Sequence, residues 1–160
     1  MTIDASAEDD TCFLDLMHNK PPHKVSDWSQ AEKVLDLIEQ YECDIAGERM
    51  WSALKKKAET EPWVTFRLAS QRDHVETAKH ALKSMQVDSL HKQMNLYTLS
   101  YEDAAEVALP YLLGLIQTLG ISSYTDGFKG SVYHNDWASI SQSFKPLYPV
   151  SVNPREFFKG

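Results

Sequence analysis

Cysteine is scarce in this chain of 160 residues: Cys12 and Cys43 are the only two, and they lie far apart and outside any CxxC. That usage suits free, mostly buried thiols in a reducing compartment, with a Cys12–Cys43 disulfide left open. Glycine is equally sparse, at six residues, and Gly127 to Ser131 (GFKGS) lacks the GxxxxGK[ST] spacing that cradles a phosphate, so it reads as a hairpin loop. None of the six histidines (His18, His23, His74, His80, His91 and His134) has an i, i+4 partner or an HExxH context. Cys12, His18 and His23 would meet on a metal only if the loop between them folded back, so neither a metal nor a cofactor is expected. No basic n-region followed by an apolar stretch opens the chain, and the longest apolar run, Ser100 to Gly120, falls short of the roughly 20 residues a membrane span requires. No membrane association and a cytoplasmic location are the expectations.

Positive charge is also in deficit. Sixteen Lys and Arg oppose 23 Asp and Glu, a net charge of −7, which argues against direct nucleic-acid binding because phosphate contacts need clustered cations. The deficit sits at one end. Up to Glu48 twelve acidic residues face only Lys20, Lys24 and Lys33, while the remainder of the chain is slightly positive. An acidic front on a near-neutral body can steer basic partners.

Along the chain, residues 1–11 are polar, acidic and without period, the composition of a mobile tail; residues 12–160 are expected to form a single globular domain. Periodicity leaves residues 12–17 open between strand and helical turn, and Pro21 and Pro22 mark a loop. Residues 26–43 predict an amphipathic helix with Trp28, Ala31, Val34, Leu35, Ile38 and Tyr41 inward and Asp27 as its cap. A second helix follows over 44–59, with Ile45, Met50, Trp51, Leu54 and Ala58 inward, and the short junction makes the pair an N-terminal helical hairpin. Val64, Phe66 and Leu68 alternate with Trp63, Thr65 and Arg67, the period of a strand over 62–69, and residues 93–99 read as a second strand. Between them Asp73 and Glu76 match a capping box for a helix to about Met85.

The segment 100–120 predicts a central buried helix, started by Ser100 and Asp103, stopped by Gly120 and kinked or broken at Pro110. Its apolar residues run almost all the way round, as in a helix buried on several sides, and Gly114 permits close approach of another backbone. Beyond Gly120, Asn135 or Asp136 can cap a short helix through Phe144, and a proline- and aromatic-rich end wraps over the core. The expected fold class is therefore α+β: a helix-rich single domain with the hairpin, a small sheet of two to four strands and the 100–120 helix at its centre.

Two places qualify for function. Tyr133, His134 and Asp136, beside Asn135 and Trp137, form the densest group of catalytic-type side chains, although neighbours in sequence seldom converge and a turn with a helix cap explains them as well. The acidic positions Glu32, Asp36, Glu39, Glu42, Asp44 and Glu48 offer a docking surface for a basic protein, against the plain reading of a solvated helix face. The favoured expectation is a small acidic protein-binding module, of the immunity, antitoxin or phage anti-defence inhibitor kind. The alternatives are a subunit of a permanent homo-oligomeric assembly, with Trp51, Trp63 and the aromatic end at its interface, and a small enzyme with a site near residues 124–137.

Overall fold

Serine and aspartate start four of the helices described, because a short side-chain oxygen ahead of the first turn accepts from backbone N–H groups that have no helical partner. Asp27 accepts from Gln30 N–H at 2.7 Å, Ser100 from Asp103 N–H at 3.0 Å, and Asp136 from Ala138 and Ser139 N–H at 3.1 and 3.3 Å. Ser6 and Asp9 form a full capping box, each side chain accepting from the other's backbone N–H. The computed structural model is described over residues 6–18, 27–86, 98–126 (side chains as far as Gly120) and 136–148. These hold eight helices: α1 (Ala7–Met17), α2 (Trp28–Gln40), α3 (Asp44–Lys57), α4 (Pro62–Gln71), α5 (Val75–Ser84), α6 (Tyr101–Ala105), α7 (Leu109–Asp126) and α8 (Trp137–Ser143).

The described residues contain no strand, so the α+β expectation is corrected to an all-helical one. Residues 62–69 form α4, with Pro62 in its first turn, where the missing N–H costs nothing. Their alternation is misleading because α4 lies between two apolar clusters: Leu68 belongs to one, and Trp63, Phe66 and Ala69 to the other. A helix buried on both sides carries no single stripe, and over eight residues its pattern passes for period two. Of the second expected strand, residues 93–97 lie outside the described residues, Thr98 is in a turn and Ser100 already caps α6. Helix α1 begins at Ala7, within the stretch read as a tail, and residues 1–5 lie outside the described residues.

The central helix 100–120 is corrected too. It is two helices, α6 and α7, parted at residues 106–108, so Pro110 falls in the first turn of α7 instead of at a mid-helix kink. Helix α4 satisfies the backbone exposed at the break: Ser70 Oγ accepts from Ala108 N–H at 3.0 Å and Gln71 Nε2 donates to the Glu106 carbonyl at 2.9 Å. Arg67 pairs with the Glu106 carboxylate. Gly120 does not end α7, which continues to Asp126.

The first cluster joins Cys12 and Leu16 of α1 to Val34, Leu35 and Ile38 of α2 and Met50 and Leu54 of α3. The second joins α4 and α5 to Tyr111, Leu115 and Leu119 of α7 and to Trp137, Ile140 and Phe144. Trp51 packs against both. After α8 the chain runs extended across α7, where Leu147 N–H donates to the Pro110 carbonyl at 2.8 Å. At the crossing a Cβ on Gly114 would stand 2.2 Å from the Lys145 carbonyl oxygen, so this is the close approach that glycine makes room for. Gly47, by contrast, has only the Ile38 side chain nearby, at 3.4 Å.

Gly114→Ala should therefore lower stability by about 1–3 kcal/mol, a fall of several degrees in Tm, because the backbone of residues 144–148 must move away. Gly47→Ala should be neutral or raise Tm slightly, through the ~1 kcal/mol advantage of alanine over glycine in a helix. Thermal melts followed by circular dichroism check both; equal effects would contradict the crossing.

Candidate functional site

Two helix pairs in this protein turn in the same way. Helix α2 ends with Cys43 N–H donating to the Ile38 carbonyl at 3.0 Å and Glu42 N–H donating to the Glu39 carbonyl at 3.3 Å. Helix α4 ends with His74 N–H donating to Ala69 at 2.8 Å and Asp73 N–H donating to Ser70 at 3.4 Å. Both are Schellman turns, whose left-handed position glycine ordinarily fills. Here it holds Glu42 (φ 49°) and Asp73 (φ 53°), at a cost of about 1 kcal/mol each for a residue with a Cβ. The next residues, Cys43 and His74, are the N-caps of α3 and α5.

The α4–α5 turn is fully engaged. Arg72 pairs with Asp36, and with Glu39 at 2.8 Å, both on α2. Burial alone would lower the Arg72 pKa, and these two carboxylates outweigh it and raise it. Asp73 accepts from the Tyr111 hydroxyl at 2.9 Å and from the Tyr148 hydroxyl. Burial and the bond to this carboxylate push Tyr111 up, and the bond to Asp73 does the same for Tyr148. His74 stacks on Trp51, ring centroids 4.3 Å apart, and its Nδ1 accepts from Thr77 N–H at 3.2 Å. The expected Asp73–Glu76 capping box is thus replaced by a histidine cap.

The α2–α3 turn has the same backbone and an open surface. Tyr41 and Ile45, both expected to point inward, are 59% and 63% exposed. They flank Glu42 and Asp44, and Tyr41 leans on Phe13 of α1 with centroids 5.7 Å apart. Ile38, Glu39, Glu42, Cys43 and Asp44 line an open concavity of about 480 Å³. The carboxylates of Glu42, Asp44 and Glu48 are without a side-chain partner among the described residues. Arg49, the nearest cation in sequence, donates to the Leu16 and Met17 carbonyls at the end of α1.

The six acidic positions therefore divide. Asp36 and Glu39 are tied to Arg72 and hold the fold, Glu32 is half-buried on α2, and Glu42, Asp44 and Glu48 are left around an exposed aromatic and an exposed aliphatic side chain. Sequence periodicity missed Tyr41 and Ile45 because a helix stripe loses its meaning at the last and first turns, where the chain leaves the packed face. Their position on either side of an acidic turn was the available signal. Tyr133 and His134 lie outside the described residues, and Asp136 caps α8 ahead of the buried Trp137. Cys12 and Cys43 are free thiols. No group of three or more His, Cys, Asp or Glu among the described residues could hold a metal, and none of the described helices is long and apolar enough to cross a membrane.

The α4–α5 turn carries a pH dependence. Burial first, then Lys55, lowers the His74 pKa, so the folded state prefers neutral imidazole, whose Nδ1 can accept from Thr77. The unfolded chain binds a proton near pH 6.5, and stability present above that pH is lost as pH falls toward the folded value. His74→Asn keeps a capping side chain and removes the titration, so its Tm should fall less between pH 7 and 5 than that of the parent. Asp73→Ala should cost about 1–3 kcal/mol at pH 7 through the two lost phenol bonds, and Asp73→Asn less, since asparagine accepts hydrogen bonds and tolerates the left-handed region. Scans of family models, curated proteins and solved structures find no match to this chain.

Proposed function

We propose that the protein is a binding module that docks a basic protein segment on the α2–α3 turn. The observation that carries this reading is the pairing of the Glu42, Asp44 and Glu48 carboxylates, without a side-chain partner among the described residues, with exposed Tyr41 and Ile45. A partner with one or two lysines or arginines beside an apolar side chain would match both features: charge would guide the approach, and desolvation of the tyrosine and isoleucine would hold the complex. The neighbouring turn supplies an internal precedent for the geometry. There the residue equivalent to Glu42, Asp73, collects two donors from other parts of the chain.

The docking set is narrower than the acidic helix face. Reversing Asp36 or Glu39 would leave Arg72 facing a like charge, so such variants report on folding and not on binding. Glu42→Lys with Asp44→Lys leaves those pairs intact. With a partner captured from the native host and then purified, this double variant should bind at least about tenfold more weakly, and the steep decline of affinity with salt seen for the unmodified chain should flatten, while Tm stays within a few degrees. Tyr41→Ala should weaken binding with no change in salt dependence. Equal affinity for the parent and the double variant at low salt would sink the proposal.

A further inference from the structure

We infer that His74 and Thr77 form a two-position acid switch at the start of α5. With neutral imidazole, Nδ1 accepts from the Thr77 N–H at 3.2 Å and so caps the helix. An imidazolium carries hydrogen on both ring nitrogens and has no lone pair to offer, so this bond is open only to the neutral form. Thr77 holds the replacement. Its side chain is fully buried, and its hydroxyl has no hydrogen-bond partner among the described residues. A buried hydroxyl left unused costs free energy and calls for an explanation. In the acid form Nδ1–H donates to Thr77 Oγ1, on the same residue as the amide it leaves, and the first turn of α5 loses its cap.

The groups around the ring decide how it responds to a proton. From α3, Trp51 stacks on it and Lys55 opposes its charge, while from α5 Glu76 favours that charge. An indole face attracts a cation, so the ring stays against Trp51 in both positions. Arg72 and Asp73, at the end of α4, are engaged elsewhere: Arg72 pairs with Asp36 and Glu39, and Asp73 accepts from Tyr111 of α7 and from Tyr148. Helix α8, which also packs on α5, carries no charged residue. Burial and Lys55 together favour the neutral ring at pH 7, so acid is what moves the switch. Trp51 packs against both apolar clusters, and the proton therefore arrives where the two meet. Loss of stability in acid requires only that the neutral ring be favoured; the switch adds an acceptor for the charged ring. It lies apart from the α2–α3 turn, so the two readings stand or fall independently.

NMR of the full chain with isotope-labelled histidine, the His74 signals assigned by their absence from His74→Asn, should show the Nε2–H tautomer at pH 7 and a midpoint below the ~6.5 of free histidine. Exchange of the Thr77 amide with solvent should accelerate in step with that midpoint. Thr77→Val removes the acceptor and keeps the amide, so its His74 midpoint should lie at least about half a unit lower still, a roughly threefold fall in proton affinity. Its Tm at pH 7 should be equal or higher, because the unused hydroxyl is gone. Thr77→Ser retains an acceptor and should retain the parent's midpoint. Equal midpoints for the parent and Thr77→Val overturn the inference, and so does an Nδ1–H tautomer at pH 7. A Thr77 amide that stays protected once His74 is charged overturns it as well, a result that needs no variant.

Discussion

Three consecutive residues, Arg72, Asp73 and His74, reach three different parts of the molecule, and they can do so only because Asp73 adopts a left-handed backbone. The positive φ ends α4 and starts α5 with three residues between them, so three neighbouring side chains diverge. Arg72 holds α2, Asp73 holds α7 and the extended segment after α8, and His74 meets Trp51 of α3. An energetic cost of about 1 kcal/mol at one residue is offset by hydrogen bonds and an ion pair that link both apolar clusters. Among the described residues, Trp51 and the two sides of α4 also connect the two clusters.

The same turn occurs twice, and the contrast between its two settings is the most direct clue to function. At Asp73 the chain supplies its own hydroxyl donors. At Glu42 the backbone is the same, yet the carboxylate stands in an open concavity beside exposed Tyr41 and Ile45. Strained backbone whose side chain has no partner among the described residues is the kind of feature that functional surfaces keep.

Much of the helical content was legible, because caps and amphipathic stripes are local. Asp27 and Ser100 act where their spacing predicts, Asp136 caps α8 ahead of a buried Trp137, and Gly114 admits another backbone. Ser6 and Asp9 carry the same serine-to-aspartate spacing as Ser100 and Asp103, a signal that the run of acidic neighbours obscures. The candidate site was only partly legible. Its acidic residues are visible in the composition, but nothing local marks Asp36 and Glu39 as partners of an arginine more than thirty positions away, nor Tyr41 and Ile45 as exposed.

By itself, then, the amino-acid sequence determined the starts of α2, α6 and α8 at Asp27, Ser100 and Asp136, the apolar stripe of α2, and the acidic character of the first third, since each depends on residues within a turn or two of one another. The tertiary structure decided that residues 62–69 are helical, that 100–120 is divided, and which carboxylates are spent inside the molecule. A helix between two cores shows no clean period, a break is tolerated only where another helix meets its free backbone groups, and a charge is free or paired according to what the fold brings beside it.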